Sequence, residues 1–130
     1  MGGTIVCDVT DATAGRSAAE FAAALGARLD LRLVLVCIGS GGDEMLAAIA
    51  RELGHDAETR VAAGGHAEAL ARVAAEEGAD LLVVGARPAG LGGRNLRWDL
   101  ARELEAATPV PVVVAPPATR KRGSRRLAVR

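Results

Sequence analysis

The sequence predicts an α/β domain built on one open, mostly parallel sheet of five strands, with helices on both faces. Five short runs of aliphatic and β-branched residues alternate with four segments whose apolar residues recur every three or four positions. The fourth run, DLLVVGA, is apolar almost throughout, which is typical of a strand buried on both faces. Alternation of this kind, with right-handed crossovers, gives a doubly wound architecture.

The strands are expected at TIVCDV (4–9), LRLVLVCI (31–38), ETRVAA (58–63), DLLVVGA (80–86) and VPVVVAP (110–116). ETRVAA is the least apolar of these and is expected at an edge of the sheet. The helices are marked by apolar residues at helical spacing: Phe21, Ala22, Leu25 and Leu29 (helix 14–28); Met45, Leu46, Ile49 and Leu53; Ala67, Leu70, Val73 and Ala74; Leu100, Ala101 and Leu104 (helix 99–107). Gly54 and Gly78 are expected to end the second and third helices.

The charge distribution divides the chain into a domain (1–116) and a basic C-terminal tail (117–130). The tail carries six basic residues and no acidic one, so the remaining 10 basic and 16 acidic residues give the domain a net charge of −6. The tail lacks hydrophobic periodicity, and we expect it to be disordered. It is interpreted as a solvated tail, as a segment that folds back on the acidic domain, or as a weak contact for nucleic acid or an anionic membrane.

Composition and motifs exclude several classes of protein. No apolar run has the roughly 20 residues of a membrane span, and no signal peptide is recognisable, so a cytoplasmic location is expected. Cys7 and Cys37 lie inside apolar runs and are expected to be buried thiols without metal ligands. A phospho-receiver domain is rejected because its acceptor aspartate and lysine are missing. No catalytic triad, metal cluster or P-loop is present, so no enzyme is expected. High alanine and arginine content suggests a bacterial source.

The segment VAAGGHAEALARVAAEEGADLLVVGARPAGLGG and the later TPVPVVVAP resemble the second half of the universal stress proteins. The first half matches that family in layout, so the resemblance covers about residues 4–116. It implies a Rossmann-like sheet of strand order 3-2-1-4-5 and a homodimer that pairs through the fifth strands. Many members of the family bind ATP between strands one and four, so the resemblance also implies a nucleotide site at that position. His66 takes a position that the family often fills with proline, and it is expected at the surface.

The family's ATP-binding members carry G-x-x-G, nine further residues and then G-[S/T], and this chain departs from that pattern. Gly85 matches the first glycine, but Pro88, Trp98 and Asp99 replace the other three marker residues. Asp99 is expected to be the N-cap of the fourth helix, where its carboxylate would occupy the place of a phosphate. Pro88 lacks an N–H donor. The resemblance therefore implies a degenerate nucleotide site.

Other residues of the same loop favour anion binding. Gly90, Gly92 and Gly93 are interpreted either as a phosphate cradle or as turn residues. Arg87, Arg94 and Arg97 are interpreted either as phosphate-binding side chains, since arginine can form bidentate hydrogen bonds with phosphate, or as solvated charges of the loop. Trp98 is interpreted as a lid over the cleft, as an anchor for a partner or as a surface residue.

The loop after the first strand is the other half of the candidate nucleotide site. The resemblance places the family's nucleotide-contacting aspartate at Thr10, with Asp11 one position later. A shift of one residue would let Asp11 take that role; in the alternative, Asp11 or Thr13 caps the first helix. Asp8 is expected to be a satisfied polar group near the strand end.

The leading hypothesis is a dimeric, non-catalytic regulatory domain of the stress response, with lost or weakened ATP binding and no cofactor. The alternative is an adenine-nucleotide-binding switch, with ATP as the ligand, that uses the altered glycine- and arginine-rich loop. The dimer interface is expected at Val110, Val112 and Val114, because an apolar edge strand without a partner tends to aggregate.

Overall fold

The computed structural model describes residues 2–54, 57–85 and 96–116. Strands and helices alternate in the order β1 (Thr4–Asp8), α1 (Ala12–Leu29), β2 (Arg32–Ile38), α2 (Asp43–Leu53), β3 (Ala57–Ala62), α3 (His66–Glu77), β4 (Leu81–Gly85), α4 (Leu96–Ala107) and β5 (Val112–Ala115). The predicted α/β class and the alternation are confirmed. The tail (117–130) lies outside the described residues.

All strand pairs in the sheet are parallel, and the strand order is β3-β2-β1-β4-β5. This is the order that the resemblance implies. From β1 the chain winds outward through β2 to β3, and it then crosses back to β4 and β5 on the other side. The winding direction therefore reverses between β1 and β4, and the carboxyl ends of these strands flank the position where open α/β sheets bind ligands.

Two apolar layers cover the faces of the sheet. Helices α1 and α2 pack on one face, around buried residues such as Ile5, Leu35 and Leu46. Helices α3 and α4 pack on the other face, around Leu70 and Leu104 among others. Side chains of successive strand residues point to opposite faces, so the apolar runs in β1, β2 and β4 supply both layers. These strands form the rigid frame of the candidate site.

Both cysteines lie in the layer beneath α1 and α2, as expected of buried thiols, and neither forms a disulfide. Burial raises the pKa of each thiol, and the negative charge of Asp8 raises it further. Cys7 is fully buried, and its pKa is well above the ordinary value. Because the thiolate is the reactive form, this environment keeps Cys7 unreactive.

Helix α4 begins at Leu96, three residues before the predicted start. The prediction that Asp99 is its N-cap is therefore wrong, because Asp99 lies within the first turn. The apolar spacing that marks the helix extends back from Leu100 to Leu96, one turn earlier, which favours the earlier start.

Strand β5 is shorter than predicted and begins at Val112. Pro111 precedes it and has no N–H to donate, although its carbonyl accepts a hydrogen bond from Leu82 N at 2.9 Å. Val110 therefore lies outside the strand, where its N–H donates to Thr108 Oγ1.

Ion pairs cross the outer end of the sheet at β3. Arg32 of β2 contacts Glu58 of β3 and Glu77 of α3 at 2.8 and 3.0 Å. Arg60 of β3 contacts Glu76 and Glu77 at 2.7 and 3.0 Å. The β3 edge strand therefore carries paired charges, whereas β5 at the opposite edge is a strand of valine and alanine.

Candidate functional site

The candidate site lies at the carboxyl edge of β1, β2 and β4, where the winding direction reverses. Thr10 is the best-connected residue of the loop after β1. Its Oγ1 donates to Asp8 Oδ1 at 2.6 Å and accepts a hydrogen bond from Ile38 N at 3.0 Å, while its backbone N–H donates to Asp8 Oδ1 at 3.0 Å. The hydroxyl thus joins the end of β1 to the end of β2 and uses its hydrogen for that purpose.

Asp11 is the N-cap of α1, as one of the two interpretations of this loop predicts. Its Oδ1 accepts a hydrogen bond from Ala14 N at 2.8 Å, and its backbone is extended, as an N-cap requires. Its carboxylate therefore satisfies one of the free N–H groups at the start of the helix.

Gly85 ends β4 and packs directly against the first turn of α1. A Cβ at this position would lie 2.8 Å from the carbonyl carbon of Ala14 and 2.9 Å from its Cβ. Gly15 approaches Val9, the residue after β1, just as closely, since a Cβ there would lie 2.6 Å from Val9 Cα. Glycine at 85 is thus required by helix packing, independently of any ligand.

Three of the predicted site residues therefore meet at one place. Thr10 and Asp11 form the loop that leads into α1, and Gly85 contacts Ala14, the residue that Asp11 caps. Each of the three has a structural role within the domain. Together they close the α1 side of the cleft between β1 and β4.

Most of the remaining candidates for nucleotide binding belong to the segment 86–95, which the structure does not describe. Arg87, Gly90, Gly92 and Gly93 lie outside the described residues, as do Pro88 and Arg94. Arg97, Trp98 and Asp99 belong to the first turn of α4 by their backbone.

The contact between Asp8 and His66 is the feature that sequence reasoning missed. Asp8 is 7% exposed, and its Oδ2 lies 2.9 Å from His66 Nε2, which belongs to the first residue of α3. His66 is half-exposed and lies at the surface as expected, but it is also tied to the centre of the sheet. The available signal was an aspartate inside an apolar strand, because a buried carboxylate needs hydrogen-bond partners.

The hydrogen bond from His66 to Asp8 raises the pKa of His66 above its ordinary value of 6.5. Partial burial opposes this effect, whereas the negative charges of Asp8 and Glu103 add to it. The carboxyl edge of β1 therefore holds an acid–base pair in which the pKa of the imidazole is raised above its ordinary value. Among the described residues, no group of three or more His, Cys, Asp and Glu side chains could hold a metal ion.

The three valines predicted to form the dimer interface are all partly buried. Val112 and Val114 line an open groove of about 360 Å³ together with Ala101, Arg102 and Glu105 of α4. Apolar strand residues thus form its floor, and a basic and an acidic side chain stand on the helix beside them.

The strand order and the cleft at its reversal point define a doubly wound, Rossmann-like α/β domain. A model of the universal stress protein family matches residues 39–116, which is more than half of the chain. The chain therefore belongs to the universal stress protein family. A search of curated proteins finds no significant match.

Solved structures of low sequence identity share the fold. A universal stress protein in complex with cAMP is 21% identical with a TM-score of 0.69, and the match covers 90% of this chain and 98% of that one. A universal stress protein from Archaeoglobus fulgidus is 19% identical with a TM-score of 0.67, covering 88% and 98%. The protein from the same organism in complex with dAMP is 18% identical with a TM-score of 0.60, again covering 88% and 98%. In the described part of this chain, no helix is long and apolar enough to cross a membrane.

Proposed function

We propose that this chain is a regulatory domain of the bacterial stress response that acts as a cytoplasmic homodimer, catalyses no reaction and has lost or weakened ATP binding. The observation that supports the loss of ATP binding is that the polar groups of the cleft are hydrogen-bonded to other residues of the domain. Thr10 is hydrogen-bonded to Asp8 and Ile38, and Asp11 caps α1. A nucleotide would have to compete with these contacts.

Charge in the first turn of α4 also supports weakened phosphate binding. Free N–H groups and the helix dipole attract anions at a helix N-terminus. Asp99 puts an acidic residue in that turn, at a position where the family's ATP-binding members carry serine or threonine. A carboxylate there repels a triphosphate.

Isothermal titration with Mg-ATP tests this part of the proposal. We expect the wild-type chain to show no binding tighter than about 1 mM, and Asp99→Ser to bind more tightly because it removes the repelling charge. Glu20→Ser is the matched control, since Glu20 is an exposed acidic residue in the middle of α1, more than two turns after the N-cap Asp11. Micromolar binding by the wild type would contradict the proposal.

The second candidate is an adenine-nucleotide-binding switch. Two structural neighbours are complexes with cAMP and dAMP, and this chain retains Gly85. Micromolar binding of Mg-ATP in that titration, or of AMP in a second one, would support this function instead.

The dimer is proposed to pair through β5, because this edge exposes an apolar strand beside an open groove. Light scattering after size exclusion is expected to give twice the chain mass of 13.2 kDa for the wild type. Val112→Lys is expected to give the monomer mass, since a lysine on an edge strand opposes pairing.

Val61→Lys is the matched control for this experiment. It places the same substitution on β3, the other edge strand, where Val61 is 41% exposed, and we expect it to leave the dimer intact. A monomeric wild type would contradict dimerisation, and a dimeric Val112→Lys would contradict the β5 interface.

A further inference from the structure

One buried carboxylate connects several segments of the chain at the carboxyl edge of the sheet. Asp8 Oδ1 accepts two hydrogen bonds from Thr10, and Oδ2 bonds His66 at the start of α3. Through the Thr10 hydroxyl the same network reaches Ile38 N at the end of β2. His66, the exposed member of this network, is therefore connected through Asp8 and Thr10 to β1 and β2.

Two opposing sets of influences act on the charge of His66. The residue is the first of α3, and the positive end of the helix dipole disfavours an imidazolium there, as does partial burial. Asp8 from β1 and Glu103 from α4 favour the imidazolium. Glu68, in the same first turn of α3, is a further acidic neighbour along the helix.

The basic residues of the neighbouring strands do not face His66. Arg32 of β2 and Arg60 of β3 pair with Glu76 and Glu77 at the other end of α3. That end is roughly 15 Å from His66 at 1.5 Å per residue. The balance at His66 therefore depends on Asp8 first and on Glu103 second.

We propose that Asp8 and His66 form a proton-responsive clasp, which holds the start of α3 against β1 when His66 is charged and loosens when His66 is neutral. The charged form makes an ion pair with a buried carboxylate, whereas the neutral form keeps only a hydrogen bond. The clasp does not depend on the proposed dimer, and it is tested on the protein without nucleotide. It gives the domain a conformational response to pH as His66 titrates.

The direction of the pH effect follows from the raised pKa of His66. The folded state binds the proton more tightly than the unfolded state, so the pair contributes its full stabilisation below about pH 6.5. That contribution is lost as the pH rises through the pKa of His66 in the folded protein. The difference in free energy of unfolding between the wild type and His66→Gln should therefore shrink across this range.

An NMR titration of the histidine rings in the full chain tests the proposal. The resonance of His66 is assigned by its loss in His66→Gln, because His55 is the only other histidine. We expect the pKa of His66 to lie above 6.5 in the wild type, and to fall below the ordinary value in Asp8→Asn, where burial and the helix dipole remain. Glu103→Gln should lower the pKa by a smaller amount.

Amide exchange tests the conformational part. Ala69 N bonds the carbonyl of Gly65 in the first turn of α3, and Leu46 N bonds that of Gly42 in the first turn of α2, at 2.8 and 2.9 Å. After correction for intrinsic exchange, protection at Ala69 should decrease as His66 deprotonates, while protection at Leu46, the matched control, should not.

Three results would each overturn the clasp: a pKa of His66 at or below 6.5 in the wild type, no change in that pKa in Asp8→Asn, or equal pH dependence at Ala69 and Leu46. If Asp8→Asn does not fold, the proposal is tested by comparing the free energy of unfolding of the wild type with that of His66→Gln as a function of pH. A stability difference that does not vary with pH would then contradict the proposal.

Discussion

Replacing Gly85 with serine is expected to lower the free energy of unfolding by about 2 to 3 kcal/mol. The new Cβ would lie 2.8 Å from the carbonyl carbon of Ala14, and a backbone atom cannot move aside as a flexible side chain can. Either α1 shifts away from β4 or the end of β4 distorts. Urea unfolding followed by circular dichroism measures the loss.

Gly65→Ser is the control, because it adds the same side chain at another glycine. Gly65 is the N-cap of α3, and a Cβ there would meet only the flexible carboxylate of Glu68, at 3.2 Å. Serine is a good N-cap, and glutamate three residues later completes a capping box, so stability should be unchanged or slightly higher. Equal losses in the two variants would show that close packing is not the reason for glycine at 85.

Leu104→Ala is expected to cost about 2 to 5 kcal/mol of stability, because it leaves a cavity where a fully buried side chain was. Leu104 is 0% exposed and packs α4 onto the layer that contains Leu70 and Leu82. The same substitution at Leu29, which is 56% exposed at the end of α1, should change stability by less than about 0.5 kcal/mol.

Urea midpoints of the two leucine variants provide the measurement. The comparison tests whether α4, beyond its first turn, is fixed to the sheet by this side chain. A small effect at Leu104 would contradict that arrangement, and it would also leave the groove beside Val112 and Val114 without a firm wall.

The overall fold could be predicted because its signals are local and repeated. Each strand is a short apolar run and each helix has an apolar face, and neither signal depends on distant residues. The strand order came instead from the resemblance of the β4 region to a known family. The start of α4 was misjudged, because an expected capping residue, Asp99, was given more weight than the leucine spacing that reaches back to Leu96.

The candidate site was predictable only in part. The capping role of Asp11 is a local pattern, and it was one of two open interpretations. The partnership of Asp8 with His66 joins residues 58 positions apart in the sequence, and no local pattern connects them. No local pattern connects Gly85 with Ala14 either, because the two residues are far apart in the sequence. The match of Gly85 to a nucleotide-binding motif also offered another explanation for a glycine at this position.

The two outer strands of the sheet have consequences for the size of any assembly. Along β3, the charged side chains of Glu58 and Arg60 stand on the edge strand, and charges on an edge strand oppose pairing with a strand from another chain. Along β5 no such barrier exists among the described residues, because the strand consists of valines and an alanine. A two-fold contact through β5 would bury that edge in both chains, and only the charged β3 edges would remain exposed. If the proposed dimer pairs in this way, growth by strand addition stops at two chains, and the charges on β3 disfavour the formation of fibres.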